Sequence, residues 1–518
     1  MDRPTVPAIY FVMLLAIGAL LGACGTYVDT TPPTSTLTDP PNYIFMNGSG
    51  ETVTFRGTAS DDTVGIKVEI SFDNKANWTT AADKPLLSRF DWSYAATAGE
   101  LPSGGPVIWT RATDNDGNAE DPQLWSTATV SISSSPTVLK NFYAAAGTVL
   151  YRSGSGGAYG TSAAGPVLAN TKDLMVVGSG YGTALTADGF SAVDATPQTA
   201  LATSSGSSYI FSIGSDLTLK DLRISGGGIG VKASTATALE LTVQDSVFTG
   251  QLQWAVSAMD AGGSTGDVNV NLYGTMVDAS SGTGSNHGGV YLKGAVYDIY
   301  DSMIRGNELP SGSGGGMFAE SGSGVIDSTV FFENAPAIWI SGASSVISGN
   351  VINGNLASNT RGINITTGGG SPETPDIRFN DIFDNAGYGV RIEGGTAPVF
   401  FHNVITGNTG SGFILDGDFN QTPLPDLGNY LVPNSSGFNS IIGNSFLDQS
   451  LSTNNVFVTG GSSPGTITIP AQNNFWEYFT ESSIKAFIID GDDTAFGFNR
   501  PIINVFSPEG SNPNPGRP

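Results

Sequence analysis

The sequence is poor in cysteine, histidine and charge, and each shortage excludes a class of protein. One cysteine and two histidines occur in 518 residues, so no intramolecular disulfide can form. Charged residues make up 13% of the chain, with 46 acidic residues against 21 basic ones. The net charge of −25 opposes binding to nucleic acid or to an anionic membrane surface. We therefore expect no nucleic-acid partner.

An apolar run at residues 9–21 indicates how the chain is exported. The run is too short for an ordinary membrane span and has the length of a signal-peptide core. It leads into Leu21-Gly22-Ala23-Cys24, which resembles the lipidation box of bacterial surface lipoproteins. The only cysteine of the chain occupies the position that is lipidated in that family. The alternative is a buried cysteine that follows an ordinary signal peptide or hydrophobic anchor.

The lipoprotein resemblance implies a signal peptide over residues 1–23 and a mature chain that begins at Cys24 with membrane-anchoring acyl chains. In that family Gly25 after the cysteine does not retain the protein at the inner membrane. The resemblance therefore implies a cell-envelope location, at the outer membrane where the cell has one, facing either the periplasm or the surface. Residues 24–45 contain two proline pairs, which predict a stiff, extended tether.

Short alternating segments between residues 46 and 134 predict a β-sandwich. We expect Trp78, Trp92 and Trp109 to contribute to its core. The stretches 57–62 and 111–118, rich in Asp and Asn, resemble bacterial immunoglobulin-like modules of surface proteins. The resemblance implies an immunoglobulin-like fold for residues 46–134.

One turn of this sandwich contains a spacing that is typical of cation sites. Asp114, Asp116 and Asn118 place oxygens at alternate positions, as calcium loops do. A hairpin turn of Asp, Asn and Gly explains the same residues, and the glutamate that completes a calcium loop is missing. We expect no metal and no cofactor, with Ca²⁺ at this turn as the alternative.

A short pattern recurs six times in the second half of the chain. A small polar residue or asparagine is followed two positions later by an aliphatic or aromatic residue, and five positions later by asparagine. The starts are 27, 21, 30, 23 and 36 residues apart. A repeat of this length, rich in Gly and β-branched residues, predicts a stacked solenoid. The copies start at Ser302, Thr329, Asn350, Asn380, Asn403 and Asn439.

Related segments extend the pattern over residues 136–506. Copies at 217–224 and 241–248, an opening segment at 173–185 and closing segments at 473–476 and 488–493 resemble the pectate-lyase-like proteins. The resemblance implies an all-β chain with an N-terminal immunoglobulin-like β-sandwich followed by a right-handed parallel β-helix solenoid. We expect the last residues, 507–518, to form a disordered tail.

The repeated asparagines are expected to be structural. Parallel coils are stacked ~4.8 Å apart, so identical asparagines can hydrogen-bond into a ladder that satisfies amide and backbone groups at a corner. We predict this role for Asn307, Asn334, Asn350, Asn355, Asn380, Asn385, Asn403, Asn408, Asn439 and Asn444.

A second repeated segment of the same coils predicts a binding surface. Its second and fourth residues are apolar, so they face inward and the third faces out. This outward row contains Tyr291, Phe318, Trp339, Asn364 and Arg391, and continues to Ile414. Aromatic rings beside hydrogen-bonding groups suit the apolar faces and hydroxyls of a saccharide. Cover by a loop or by the first domain would also explain the row, since exposed aromatic rows are uncommon on soluble monomers. A contact with a protein partner is a further alternative.

Neither catalytic arrangement of β-helix enzymes is evident in the sequence. The lyases of this fold use a Lys or Arg base with calcium, and the hydrolases use paired carboxylates. The outward row beside the first ladder reads Met303, Val330, Val351, Asp381, Val404 and Ser440, with one carboxylate and no stacked pair. His287 in a Gly/Ser loop and His402 at a corner do not suggest a shared site. We therefore identify no catalytic residue, although loop insertions could contribute one.

The sequence leaves three functions open. We favour a lipid-anchored envelope protein whose β-helix presents a non-enzymatic surface for adhesion or polysaccharide binding, with a polysaccharide or a surface protein as partner. The second is a lyase or glycosidase that acts on an acidic polysaccharide, which depends on fold analogy alone. The third is a structural envelope subunit that self-associates.

Overall fold

A computed structural model gives the structure of the chain as two compact units, residues 1–42 with 52–132 and residues 43–51 with 133–518. The predicted signal peptide, Cys24 and the predicted tail at 507–518 lie outside the described residues. No helix in the described part of the chain is long and apolar enough to cross a membrane. The structure describes residues 29–38, 43–45, 52–97, 99–102, 106–133, 147–150, 159–160, 168–170, 173–178, 200–203, 209–261, 267–278, 286–307, 313–355, 361–368, 374–417, 424–428, 437–444, 456–458, 468–476, 481–485, 488–489 and 502–505.

Strands dominate both units. Up to residue 133 they are β1 (Thr34–Thr38), β2 (Tyr43–Phe45), β3 (Thr52–Ser60), β4 (Ile66–Ser71), β5 (Thr79–Lys84), β6 (Arg89–Thr97), β7 (Val107–Asp114), β8 (Thr127–Thr129) and β9 (Ser131–Ser133). Up to residue 260 they are β10 (Gly147–Leu150), β11 (Tyr159–Gly160), β12 (Leu168–Asn170), β13 (Leu174–Val177), β14 (Ala200–Thr203), β15 (Tyr209–Ile213), β16 (Leu217–Lys220), β17 (Arg223–Gly226), β18 (Ile229–Thr235), β19 (Leu239–Gln244), β20 (Val247–Thr249) and β21 (Trp254–Asp260).

The remaining strands, from β22 onward, form the coils that contain the repeats. They are β22 (Val268–Tyr273), β23 (Met276–Asp278), β24 (Asn286–Lys293), β25 (Val296–Tyr300), β26 (Met303–Arg305), β27 (Ser313–Glu320), β28 (Ser323–Asp327), β29 (Val330–Phe332), β30 (Ile338–Ser341), β31 (Ser344–Ser348), β32 (Val351–Asn353), β33 (Arg361–Thr366), β34 (Asp376–Arg378), β35 (Asp381–Phe383) and β36 (Tyr388–Glu393). The closing part contains β37 (Val399–Phe401), β38 (Val404–Thr406), β39 (Phe413–Asp416), β40 (Ser440–Ile442), β41 (Val456–Val458), β42 (Thr468–Pro470), helix α1 (Glu481–Lys485), β43 (Ile488–Ile489) and β44 (Ile502–Asn504).

The first unit is an antiparallel sandwich. One sheet has the order β1-β3-β6 and the other β5-β4-β7-β8. Side chains alternate between buried and exposed along β3 and β6, as expected of strands with one face on a core. Phe55 of β3 contacts Phe72, just beyond β4, with 5.3 Å between ring centroids. The core therefore lies between the two sheets.

Two expectations for this unit are corrected by the structure. The tether was predicted to extend to residue 45, but β1 already pairs with β3, and the Glu120 carboxylate accepts hydrogen bonds from the Ser35 backbone and hydroxyl. Trp92 is buried, whereas Trp78 and Trp109 are half-buried on the outer face, where they meet Trp125. Alternation along β7 places Trp109 on the opposite face from the core residue Ile108.

The second unit is a parallel β-helix in which every third strand pairs. Sheet A contains the strands β2-β10-β13-β16-β19-β22-β25-β28-β31-β34-β37 in that order. Sheet B begins with β11 and β14, continues with every third strand to β38, and ends with β40. Sheet C begins with β12 and β15, continues with every third strand to β39, and ends with β41 and β43. Strands β42 and β44 form a separate parallel pair. The predicted fold class is confirmed.

The inward residues of the first repeat form the core of the β-helix. The aliphatic or aromatic residue at the third position of each copy is fully buried, and each one pairs in register with the next along sheet B. Stacking of like side chains on successive coils removes a continuous apolar column from water. The column contains Ile304, Phe331, Ile352, Ile382, Ile405 and Ile441.

Candidate functional site

The outward row predicted from the sequence lies on sheet C. Tyr291 on β24, Phe318 on β27 and Trp339 on β30 are register partners. Their ring centroids are 5.5 Å and 4.7 Å apart in succession. Parallel pairing at ~4.8 Å places equivalent side chains directly over one another, so the rings form a stack along the helix axis.

A fourth ring, which was not predicted, extends this stack. Trp254 on β21 stacks on Tyr291 with 5.2 Å between centroids and 27° between ring planes. The residue opposite Trp254 on the next coil is Gly288, where a Cβ would lie 2.7 Å from the indole. The glycine leaves the space through which the indole reaches the neighbouring row. A large residue directly before the repeated segment, opposite a glycine on the next coil, was the signal available in the sequence.

The row is less exposed than the sequence predicted. Phe318 is 8% exposed and Asn364 is 3% exposed, while Tyr291, Trp339 and Arg391 are half-buried. Phe318 has an aromatic ring on each side in the stack, which accounts for part of its burial. The aromatic stack, defined as Trp254, Tyr291, Phe318 and Trp339, therefore presents ring edges and partial faces rather than four free rings.

Hydrogen-bonding groups fix the edges of the aromatic stack. The Tyr291 hydroxyl donates to Glu320 Oε2 at 2.6 Å, and Lys293 Nζ contacts Glu320 Oε1 at 2.6 Å. Burial by itself would raise the pKa of Glu320, but the hydrogen bonds from Lys293 and Tyr291 outweigh burial and lower it. Trp339 Nε1 donates to Thr366 Oγ1 at 2.8 Å. These contacts hold the rings in place before any ligand arrives.

The aromatic stack forms the wall of a surface groove with a volume of about 850 Å³. The groove spans the coils from β15 to β33, six coil spacings or roughly 29 Å. Lys232 and Tyr209 lie at one end, with the ammonium 4.4 Å from the ring centroid. Ser341, Thr367 and Gly368 lie at the other end. A long groove with rings on its wall and polar groups at its ends suits a linear amphipathic ligand.

Past Trp339 the same row becomes polar. Asn364 on β33 and Arg391 on β36 are register partners. Arg391 Nη1 donates to Asn364 Oδ1 at 3.2 Å, and Nη2 contacts Asp416 Oδ2 at 2.8 Å. The candidate residues of the row are thus brought together in one continuous line.

The ten repeated asparagines lie in two buried ladders. Asn350, Asn380, Asn403 and Asn439 donate from backbone and side chain to the next member's Oδ1, and Asn474, which was not predicted, ends this ladder. In the second ladder the same pair of hydrogen bonds runs from Asn307 to Asn334, from Asn355 to Asn385, from Asn385 to Asn408 and from Asn408 to Asn444. Asn334 is the exception, because its backbone N–H donates to Asn355 and its side chain donates to the Ile304 carbonyl. All ten are buried, which leaves no access for a substrate.

The row on sheet B that was expected to face out is largely buried. Met303, Val330 and Val351 pack with Val247 and Met276 in an apolar cluster beside Phe332 and Phe383. Among the described residues that line the groove, Glu320 is the only carboxylate. No stacked pair of carboxylates lies along the groove in the described coils, so a two-carboxylate hydrolase site has no support there.

The histidines and the predicted calcium turn are also placed by the structure. His287 is buried in β24 rather than in a loop, and His402 is at a corner with φ 53°. Both Asp114 carboxylate oxygens accept hydrogen bonds from Asn118, and the Asp114 N–H donates to the Asn118 carbonyl, so the two residues close a hairpin turn. Asp116 is exposed and joins no such contact.

Asp114 does approach two other carboxylates. It forms a group with Asp29 and Asp61 whose oxygens lie within 4.8 Å of one another. These oxygens accept hydrogen bonds from Thr31 and Thr63 as well as from Asn118.

The fold and the groove define a parallel β-helix protein with an aromatic surface groove. Residues 262–477, less than half of the chain, match the family described as "Periplasmic copper-binding protein (NosD)". Among solved structures, a family 28 exopolygalacturonase from Yersinia enterocolitica aligns at 9% identity and a TM-score of 0.22, over 93% of this chain and 100% of that one. No curated protein matches the chain.

The donor groups of the matched region do not fit a copper centre. Copper favours imidazole, thiolate and thioether ligands, and the only cysteine, Cys24, lies outside the match. His287 on β24 and His402, which follows β37, are separated by more than four coil spacings, over ~19 Å. The register neighbours Met276 and Met303 pack among valines. The cluster of Asp29, Asp61 and Asp114 lies outside the matched region and offers carboxylate oxygens, which suit harder cations than copper.

Proposed function

We propose that this protein is a non-enzymatic, saccharide-binding protein of the cell envelope, and that its ligand lies along the groove of sheet C. The observation that carries the proposal is the aromatic stack on the wall of the groove. Pyranose rings have apolar faces that pack on aromatic rings, and their hydroxyls need hydrogen-bonding partners. The lipoprotein box at Cys24 and the match to a family described as periplasmic support the envelope location.

The geometry favours a chain over a single sugar. The rings recur once per coil at centroid distances of 4.7–5.5 Å, so successive units of a linear polymer would meet equivalent surfaces. Glu320, Ser341 and Thr367 along the groove offer hydrogen-bond partners for hydroxyls. The net charge of −25 does not oppose a neutral polysaccharide, because no long-range repulsion acts on an uncharged ligand.

A glycan array with the full-length protein tests the proposal, followed by calorimetry on the best oligosaccharide. Trp339→Ala and Phe318→Ala should each weaken binding roughly 5–10-fold, because each removes one stacked ring. Tyr300→Ala is the matched control, since Tyr300 stacks on Tyr273 at 6.0 Å on sheet A, away from the groove. Undiminished affinity in both groove variants would exclude the aromatic stack as the binding surface.

The same samples separate this function from its two rivals. A lyase would release unsaturated products from uronate polymers with calcium, and a glycosidase would release reducing ends. A structural subunit would sediment as a concentration-dependent oligomer and bind no glycan. We expect intact oligosaccharide after prolonged incubation with the protein, because Glu320 is held by Lys293 and Tyr291 and has no second carboxylate beside it among the described residues of the groove.

A further inference from the structure

Two arginines lie on neighbouring coils of sheet C beyond the aromatic stack, near enough for the charge of Arg391 to act on Arg361. Arg361 begins β33 and Arg391 lies on β36. Arg361 is the register partner of Tyr388, three residues before Arg391. Asn364, between Trp339 and Arg391 in the row, connects the rings to this pair. The arginines therefore lie one and two coil spacings beyond Trp339, within ~10 Å along the axis.

In the described part of the chain, the two arginines share one carboxylate partner in an ion pair. Arg391 binds one carboxylate, Asp416, through Oδ2 alone. Among the described residues no ion pair joins Arg361 to a carboxylate. In a chain with 46 acidic and 21 basic residues, an arginine pair with a single carboxylate partner is a local exception to the overall charge.

One donor of Arg361 has no acceptor among the described residues. Its Nε is buried and has no hydrogen-bond partner. A guanidinium is a rigid fork of five donors that matches the geometry of carboxylate, sulfate and phosphate groups. Burial, and then the nearby charge of Arg391, lower the pKa of Arg361. The surroundings therefore disfavour the charged form of this guanidinium. A partly buried guanidinium without an ion-pair partner destabilises a fold unless an anion completes it.

We propose that Arg361 and Arg391 form an oxyanion-binding subsite that takes a carboxylate, sulfate or phosphate group on the saccharide held against the aromatic stack. Arg361 supplies a guanidinium that no described residue pairs as an ion, and Arg391, held by Asn364 and Asp416, supplies the second charge. The inference rests on the proposed function for the identity of the ligand, but the subsite itself can be tested without a saccharide.

The test uses the full-length protein and two sets of probes. The first set is inorganic sulfate and phosphate, compared with chloride at equal ionic strength, and the readout is the unfolding midpoint. The second set is matched oligosaccharides that are neutral, carboxylated or sulfated, and the readout is the dissociation constant. The variant is Arg361→Gln. The control is Arg378→Gln, because Arg378 on sheet A pairs with Asp376 at 3.4 Å and is away from the row.

We expect wild type and Arg378→Gln to gain stability from sulfate or phosphate beyond the general effect of these salts, and Arg361→Gln to lose that excess. We expect an anionic oligosaccharide to bind at least ~10-fold tighter than its neutral match in wild type and with equal affinity in Arg361→Gln. Without ligand, the midpoint of Arg361→Gln should equal or exceed that of wild type, because an unpaired charge has been removed.

Each outcome decides between the two ideas. Equal binding of neutral and anionic sugars by wild type overturns the subsite and leaves the proposed function standing. Sulfate or phosphate protection that depends on Arg361, without binding of any saccharide, supports the subsite and rejects the proposed function. Absence of both anion protection and saccharide binding rejects the subsite and the proposed function. A marked loss of stability in Arg361→Gln without ligand would show that Arg361 is a structural residue and would overturn the subsite.

Discussion

The indole of Trp254 stacks on the phenol ring of Tyr291, although Trp254 is the register partner of Gly288 and Tyr291 that of Ser257. The contact thus joins two rows of sheet C that regular stacking would keep apart. Gly288 makes it possible, because a Cβ there would lie 2.7 Å from the indole. One glycine therefore converts three aligned rings into the aromatic stack of four.

Gly288→Ala should therefore disturb both the fold and the groove. The new methyl would also lie 2.2 Å from the Gly315 carbonyl oxygen, so we expect a loss of about 1–3 kcal/mol from overpacking and a change in tryptophan fluorescence. Unfolding in urea, followed by fluorescence, measures both effects. Gly99→Ala is the control, because its Cβ would meet only one atom, at 4.0 Å. Similar behaviour of the two variants would contradict this role for Gly288.

The asparagine ladders should be a main source of stability. Asn385 donates from Nδ2 to Asn408 at 2.7 Å and accepts from Asn355. Asn385→Ala would leave buried polar groups on both neighbouring coils unsatisfied, at a cost of about 3 kcal/mol. Asn269→Ala, at an exposed position of β22, should change stability by less than ~0.5 kcal/mol. Denaturant midpoints of the two variants check the difference, and equal midpoints would refute it.

Alkaline pH should destabilise the β-helix through Tyr297. This residue is fully buried, and its hydroxyl pairs with Ser345. Burial raises the pKa of Tyr297 from 10.0 to about 12, so its stabilising effect is complete below pH 10 and is lost as the pH rises towards 12. The loss is roughly 2–3 kcal/mol.

Unfolding free energies at neutral and alkaline pH test the role of Tyr297. Tyr297→Phe should cost about 1 kcal/mol at neutral pH, since Ser345 loses its partner, but it should flatten the alkaline decline. Ser345→Ala keeps the titrating phenol and should retain the decline. An unchanged alkaline slope in Tyr297→Phe would show that Tyr297 does not titrate with unfolding.

Glu120 should hold the N-terminal strand on the sandwich. Its Oε1 accepts from the Ser35 backbone at 2.9 Å, and its Oε2 accepts from the Ala112 backbone at 2.9 Å. Glu120→Gln places an amide N–H₂ against one of these N–H donors, which should cost about 1–3 kcal/mol. Asp116→Asn, exposed at the turn, should be neutral. Limited proteolysis near residue 34, with thermal unfolding, measures the effect, and equal protection of both variants would contradict it.

The repeats made the β-helix and its register predictable, because coil stacking forces like residues onto like positions. Ile352, Asn355 and Trp339 were assigned to an inner column, a corner and an outer row from spacing alone. Trp254 was missed because it precedes the repeated segment and joins the stack only by leaning over Gly288. Strand β1 was missed because its two flanking proline pairs suggested a tether, while its partners Ser60 and Glu120 are distant in sequence.

Side-chain direction alone also did not predict burial. Strand alternation points the side chains of Met303 and Val330 away from the interior of the coil, yet both are buried in an apolar cluster. Phe318 points outward and is 8% exposed, with a ring on each side. The strand period determines which way a side chain points, but neighbours on other coils and strands determine how much water remains around it.

By itself the sequence determined the solenoid, the structural role of the asparagines and the row of rings, because these follow from local periodicity, while a family resemblance implied the all-β class. Only the tertiary structure decided that Trp254 completes the aromatic stack, that the rings line a groove, and that Arg361 and Arg391 lie on neighbouring coils beyond it. Those relationships join residues that are 21–37 positions apart, and coils of unequal length bring them together through packing that no local pattern encodes.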